Sequence, residues 1–253
     1  MTTVTGTTLD VPTPDGAADA YLAHPEGDGP HPGVLMYMDA FGVRPRMREM
    51  ADRLAGHGYT VLVPNLFYRA GRAPVVELPD LSVAEERSRF FEKLGPLLSS
   101  MTPEVAARDA GAYLDWFAAS PLVTDGPVGI TGYCLGGLLA LRTAESHPDR
   151  VAAAASFHGG RLATDEDDSP HLLVDRVRAE LYFGHADQDH SMTDEQITRL
   201  EQALDAAGVR YRSEVYKGAT HGFTMSDTAA YDAEAEARHW RELIDLFGRT
   251  LSA

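Results

Sequence analysis

The one cysteine of the 253-residue chain, Cys134, stands in the run Gly132-Tyr133-Cys134-Leu135-Gly136-Gly137. Glycines two residues before and two after a nucleophile are what a tight strand-to-helix turn requires, because side chains there would collide with the neighbouring strand and helix. Such an elbow presents its sulfur at a helix N-terminus, where the dipole end and free N–H groups favour thiolate. The chemistry open to it is nucleophilic attack on a carbonyl, for which a base must take the thiol proton and an acid must orient the base. The expected chain order is nucleophile, acid, histidine. His221, in Gly218-Ala219-Thr220-His221-Gly222-Phe223, is placed to be the base, and Asp187 and Asp189 both stand upstream as the acid.

His185 and His190 crowd the same stretch as the two aspartates, but no HxxxH or CxxC spacing supports a metal site, and no metal or organic cofactor is expected. His158, in Ser156-Phe157-His158-Gly159-Gly160, ends a strand and is expected to face the pocket. His24, His31, His57, His147, His171 and His239 read as exposed or loop residues, and Asp165-Glu166-Asp167-Asp168 as a solvated loop lacking EF-hand spacing.

These residues need elements to hold them. Val34 to Met38 and Thr60 to Val63 read as buried strands, and between them Met47, Met50, Ala51 and Leu54 form one apolar helical stripe. Val128 to Thr131 is a strand, with a helix beginning near Leu138. Ala152 to Phe157 and Leu181 to Phe183 are further strands, followed by a helix carrying Ile197, Leu200 and Leu204. Tyr211 to Tyr216 is the last strand, and Trp240, Leu243, Ile244, Phe247 and Leu251 line a closing helix. Ala18 to Ala23 is expected to pair antiparallel with Val4 to Leu9. The alternation predicts an α/β fold, a mostly parallel sheet with helices on its faces, in a single domain over 1–253. The stretch 66–101, with three prolines and four arginines, reads as a long connection that covers a pocket.

Composition narrows the function. Thirty-eight acidic against 22 basic residues give a net charge of −16, a field that repels nucleic-acid backbones and anionic lipids. No apolar run is long enough to span a bilayer and no secretory leader is visible, so no membrane partner is expected. One cysteine forms no internal disulfide, and the expected location is cytoplasmic. The expected partner is a small-molecule substrate; the sequence does not set the oligomeric state.

The chain resembles the dienelactone hydrolase family of α/β-hydrolases from about Gly33 to Phe247. The Gly132–Gly137 run is similar to the family's cysteine elbow, and Met38-Asp39-Ala40-Phe41-Gly42-Val43 resembles the segment after the third strand. Gln188-Asp189-His190 resembles its acid segment, and His221-Gly222-Phe223 its histidine loop. The resemblance implies an α/β-hydrolase fold with a central sheet of about eight strands. It also implies a lactone or carboxylic ester hydrolase working through a thioester, with Cys134 as nucleophile, His221 as base and Asp189 as acid. Leu135 and Ala40 would supply oxyanion-hole N–H groups, and Asp39 would be an acid near the thiol, one methylene shorter than the family's usual glutamate. Tyr133, His158, Arg87 and Arg89 are expected substrate-binding residues. Where the family's archetype has a carboxylate-holding arginine, this chain has Met225, which favours a neutral substrate unless Arg69, Arg72, Arg87 or Arg89 compensates. The alternative function is a non-catalytic small-ligand receptor or sensor on the same fold.

Overall fold

A computed structural model describes residues 2–27 and 29–251. Eight strands form one sheet: β1 (Val4–Thr13), β2 (Gly16–Pro25), β3 (Gly33–Tyr37), β4 (Thr60–Pro64), β5 (Val128–Tyr133), β6 (Val151–Phe157), β7 (Glu180–Gln188) and β8 (Tyr211–Thr220), in the order β1-β2-β4-β3-β5-β6-β7-β8. β1 pairs antiparallel with β2, setting Leu9 opposite Ala20, and β2 pairs antiparallel with β4; every other pairing is parallel. Strands β3, β4 and β5 are buried throughout, which is why they read as mostly apolar runs.

Six α-helices cover the sheet among the described residues: α1 (Pro45–Ala55), α2 (Ala84–Ser99), α3 (Pro103–Ala119), α4 (Leu135–Ser146), α5 (Asp194–Ala207) and α6 (Ala233–Thr250). Strand alternation assigns the faces. A Cβ on Gly33 would meet Phe117 of α3, and Tyr37, on the same face of β3, bonds Thr143 of α4 at 2.8 Å. A Cβ on Gly129 would meet Phe247 of α6 and Leu251 just beyond it, and Tyr133, two pleats further along, bonds His239 of α6. Helices therefore lie on both faces. Arg53 of α1 stacks on Trp240 of α6, 4.4 Å from the ring centroid. The fold is that of the α/β-hydrolases.

Several boundaries differ from the sequence expectation. α4 starts at Leu135, directly after Cys134, rather than near Leu138, because the elbow glycines admit the first turn at once. β7 runs past Phe183 to Gln188, because β8 continues to pair with it. The stretch 66–101 is not all connection: it holds α2, whose buried residues are only Phe90 and Leu94, too thin a stripe to stand out between its charges. α3 went unread although Ala106, Ala110, Tyr113, Leu114 and Phe117 form its apolar face. His239 is fully buried, not exposed, its Nε2 meeting the Tyr133 hydroxyl at 3.0 Å.

Glu145 on α4 is buried with Oε1 lacking a partner among the described residues. Burial pushes its carboxyl up to about 8, against the pull of Arg142 and Arg176. A folded-state pKa raised above 4.5 makes this stabilisation complete below pH 4.5 and lost as pH rises through about 8. Glu145→Gln should therefore match the wild type near pH 4.5 and exceed it at pH 9 by roughly 5 kcal/mol in urea unfolding. Equal stability at both pH values would contradict the buried acid.

Candidate active site

The C-terminal ends of β3, β5, β6, β7 and β8 deliver the site. Cys134 follows β5 with φ 54° and ψ −113°, a left-handed backbone that a non-glycine residue holds only when its surroundings enforce it. The elbow glycines enforce it by absence: a Cβ on Gly132 would lie 1.9 Å from the Gly136 carbonyl oxygen, and one on Gly136 would lie 2.5 Å from that of Tyr37. The Cys134 N–H donates to the Phe157 carbonyl at 3.1 Å, which ties the elbow to β6. Half-buried, Cys134 lines two cavities, of about 780 and 500 Å³, which also share Ala40 and His221.

His221 lies just beyond β8 and contacts Asp189 rather than Asp187. Its Nδ1 is 2.5 Å from Asp189 Oδ2. Asp189 Oδ1 accepts from both the backbone N–H (2.8 Å) and the hydroxyl (2.6 Å) of Ser191, a residue sequence reasoning passed over. The Asx-turn pattern Asp189-His190-Ser191 was the available signal. Asp187 is occupied elsewhere, accepting from the Gly218 N–H at 2.9 Å. Burial alone would raise the Asp189 carboxyl, but the His221 hydrogen bond and charge, with the Ser191 donors, hold it below its ordinary value. Burial alone would lower His221. The hydrogen bond to Asp189, then the hydrogen bond and charge of Cys134, outweigh that and push it up to about 10. At neutral pH the imidazole thus holds a proton between a carboxylate and the sulfur.

The first N–H of a helix has no intrahelical acceptor, and that of Leu135, beside Cys134, has no acceptor among the described residues. The Ala40 N–H, on the turn after β3, likewise has no acceptor among the described residues. Asp39, which lines the larger cavity together with Cys134, is held by Arg44. Arg44 donates to both its oxygens at 2.6 and 2.9 Å, and the Phe41 N–H donates to Oδ1 at 2.9 Å. Arg44 also donates to Asp227 at 2.6 Å, so one buried guanidinium joins the β3 turn to the loop after His221.

Two expected substrate contacts are corrected. Tyr133 is wholly buried and lies on the α6 face of β5, because alternation turns its side chain away from the cavity. Arg89 lies along solvent-facing α2, paired with Glu85 one turn earlier, and does not line either cavity. Arg87, by contrast, does line the larger cavity, with Nη1 donating to the Leu81 carbonyl at 2.9 Å. Arg69 is held by Asp15 and Asp109, and Arg72 by Asp10. His158 has φ 40°, lines the larger cavity, and meets Thr224 Oγ1 through Nε2 at 2.8 Å. Burial, with His221 and His239 nearby, keeps it well below its ordinary pKa and so neutral. His185 is buried, lines neither cavity, and has Nε2 3.2 Å from Ser213 Oγ. The stretch 66–101 contributes Leu78 to Ser82 and Arg87 to one cavity and Leu98 to Met101 to the other. Among the described residues no group of histidine, cysteine and acidic side chains could hold a metal ion. Nor is any helix there long and apolar enough to cross a membrane.

The model of the dienelactone hydrolase family matches residues 18–251. The chain belongs to the dienelactone hydrolase family. A Synechocystis sp. relative is 32% identical over 249 residues, 95% of each chain. A Rhodococcus opacus relative is 27% identical over 243 residues, covering 95% of this chain and 90% of its own. Both carry carboxymethylenebutenolidase in their names. Among solved structures, a dienelactone hydrolase-like promiscuous phosphotriesterase from metagenomic libraries superposes with a TM-score of 0.78 at 24% identity, covering 99% of this chain and 100% of the other, a likeness of fold. As a member of the dienelactone hydrolase family the chain is a hydrolase, which sets aside the receptor alternative.

Proposed function

We propose that this dienelactone hydrolase family member cleaves a small lactone or carboxylic ester through Cys134, His221 and Asp189, by way of a thioester. The proposal carries with it one α/β-hydrolase domain and a cytoplasmic setting, the latter from the lone cysteine. The observation that carries it is the 2.5 Å contact of His221 with Asp189 where His221 and Cys134 together line both of two adjoining cavities.

The thiol proton rests on His221 Nε2, and the thiolate sulfur attacks the carbonyl carbon. The oxyanion that forms accepts from the Leu135 and Ala40 N–H groups, a pair of preorganised donors worth several kcal/mol of barrier. Collapse breaks the ester C–O bond, and the alkoxide takes the proton from His221. Water then enters, gives its proton to His221 and attacks the thioester; the C–S bond breaks, and the acid departs as the thiolate re-forms. Asp189 holds the imidazole in the tautomer with Nε2 toward the sulfur throughout. His158, neutral and bonded to Thr224, serves as an uncharged wall.

Acid quenching within the first turnovers of phenyl acetate, followed by peptide mass spectrometry, should find an acetyl group on the Cys134 peptide that hydroxylamine removes. An acetyl group on another residue, or none during steady turnover, would overturn the thioester route.

A further inference from the structure

The larger cavity holds a second histidine that the proton path does not use. His158 is fully buried, follows β6 directly and has a left-handed backbone, φ 40°. Its N–H donates to the Gly184 carbonyl of β7 at 2.8 Å, which fixes its root. Its ring stands edge-on to the rings of His221, 5.4 Å between centroids, and of Phe223, 5.0 Å. Nε2 meets the Thr224 hydroxyl at 2.8 Å, while Nδ1 is buried with no partner among the described residues. The contact with Thr224 is thus the one hydrogen bond among those residues that orients the ring.

Thr224 is buried as completely, three residues after His221. Its carbonyl accepts from Nε and Nη2 of Arg46 at 3.2 and 2.6 Å, so α1 holds its backbone and its hydroxyl is left to His158. The residue before His158 grips the other reacting partner: the Phe157 carbonyl accepts the Cys134 N–H at 3.1 Å. Two consecutive residues at the end of β6 therefore hold the nucleophile elbow and the histidine loop. The left-handed turn at His158 ends the alternation of the strand there, and such a backbone persists where its surroundings enforce it. Asp189 fixes which way the His221 ring points, but it does not fix how far the loop stands from the elbow. That distance matters, since misplacing a reacting group by about 1 Å can cost of order 10²-fold in rate.

We propose that His158 is a positioning residue: through Thr224 and its edge contact with His221 it sets the distance from the imidazole to the Cys134 sulfur, with the Phe157-His158 strand end as the spacer between nucleophile and base. This rests on the reading of Cys134 and His221 as the reacting pair. His158 itself carries no proton in it. Burial, with His221 and His239 nearby, keeps the ring neutral.

His158→Phe and Thr224→Val each delete one side of the bond at similar volume and leave the other side buried and unpaired. Each should lower the melting temperature, and each should lower kcat for phenyl acetate about tenfold with KM within about twofold. The double variant leaves neither partner unpaired, so its melting temperature should recover most of the loss while kcat stays about tenfold down. His158→Gln, whose amide reaches as far as Nε2, should regain about threefold in kcat over His158→Phe. Recovery of kcat in step with melting temperature in the double variant would overturn the proposal. So would an unchanged kcat with a raised KM, which would make His158 a substrate contact. A readout free of turnover is 13C NMR of histidine-labelled protein, with His221→Gln assigning the signal. His221 should lose its proton at about pH 10 in the wild type and at lower pH in His158→Phe, Thr224→Val and the double variant, because Cys134 helps to hold that proton. An unchanged midpoint in those variants would overturn the proposal. If Cys134→Ala still hydrolyses phenyl acetate, the nucleophile assignment fails, while this titration still decides whether His158 holds His221 against the sulfur.

Discussion

Cys134→Ala should lower kcat/KM for phenyl acetate by at least about 10⁴-fold while leaving the melting temperature within a few degrees of wild type. The size follows from the division of labour in the site. Without sulfur no thioester forms, and what remains is water attack assisted by His221 and the Leu135 and Ala40 N–H groups, which alone yield only a small part of the acceleration. The small effect on stability follows from the position, half-buried at a cavity wall rather than packed in the core. Removing Sγ also leaves the left-handed backbone, set by Gly132 and Gly136, as it was. Steady-state kinetics with thermal unfolding on the same preparation reads both; a variant within tenfold of wild type would mean that another group attacks the carbonyl.

Asp189→Asn is expected to cost about 10³- to 10⁴-fold in kcat, and Asp187→Asn no more than about threefold. An asparagine can turn its N–H toward Nδ1 and favour the tautomer that aims the wrong nitrogen at the sulfur, so geometry survives while the base does not. Asp187 bonds only the Gly218 N–H, which an amide oxygen can still accept. The pH dependence carries an independent sign. His221 is raised from 6.5 to about 10 against the opposing effect of its burial, first by the hydrogen bond to Asp189. Stabilisation from that pairing is complete below pH 6.5 and is lost as pH rises through about 10. Wild-type stability should therefore decline across that interval, and Asp189→Asn should show a shallower decline. A steeper one, or equal losses from Asp187→Asn and Asp189→Asn, would remove Asp189 from its place.

The elbow, the histidine loop and most of the sheet were legible in the residues, because each is a local steric or periodic demand. Only glycine fits at 132 and 136, and buried parallel strands are apolar at most positions. A candidate nucleophile, two candidate acids and a candidate base could be named in chain order because the α/β fold brings strand ends together at one edge whatever lies between them. α2 was not legible, since a helix that buries little beyond Phe90 and Leu94 over a cavity carries almost no periodic signal.

What only the tertiary structure decided was which groups meet. Asp187 and Asp189 differ by one pleat in the sequence, and it is the course of β7 beside β8 that gives Asp189 to His221 and Asp187 to Gly218. Asp39 could be named as an acid near the thiol, yet Arg44, five residues on, claims both its oxygens. Tyr133 adjoins the nucleophile in sequence and faces the opposite side of the sheet. Local chain chemistry sets conformation, but charge compensation is a matter of distance, and distances across 20 to 200 residues exist only once the sheet has assembled.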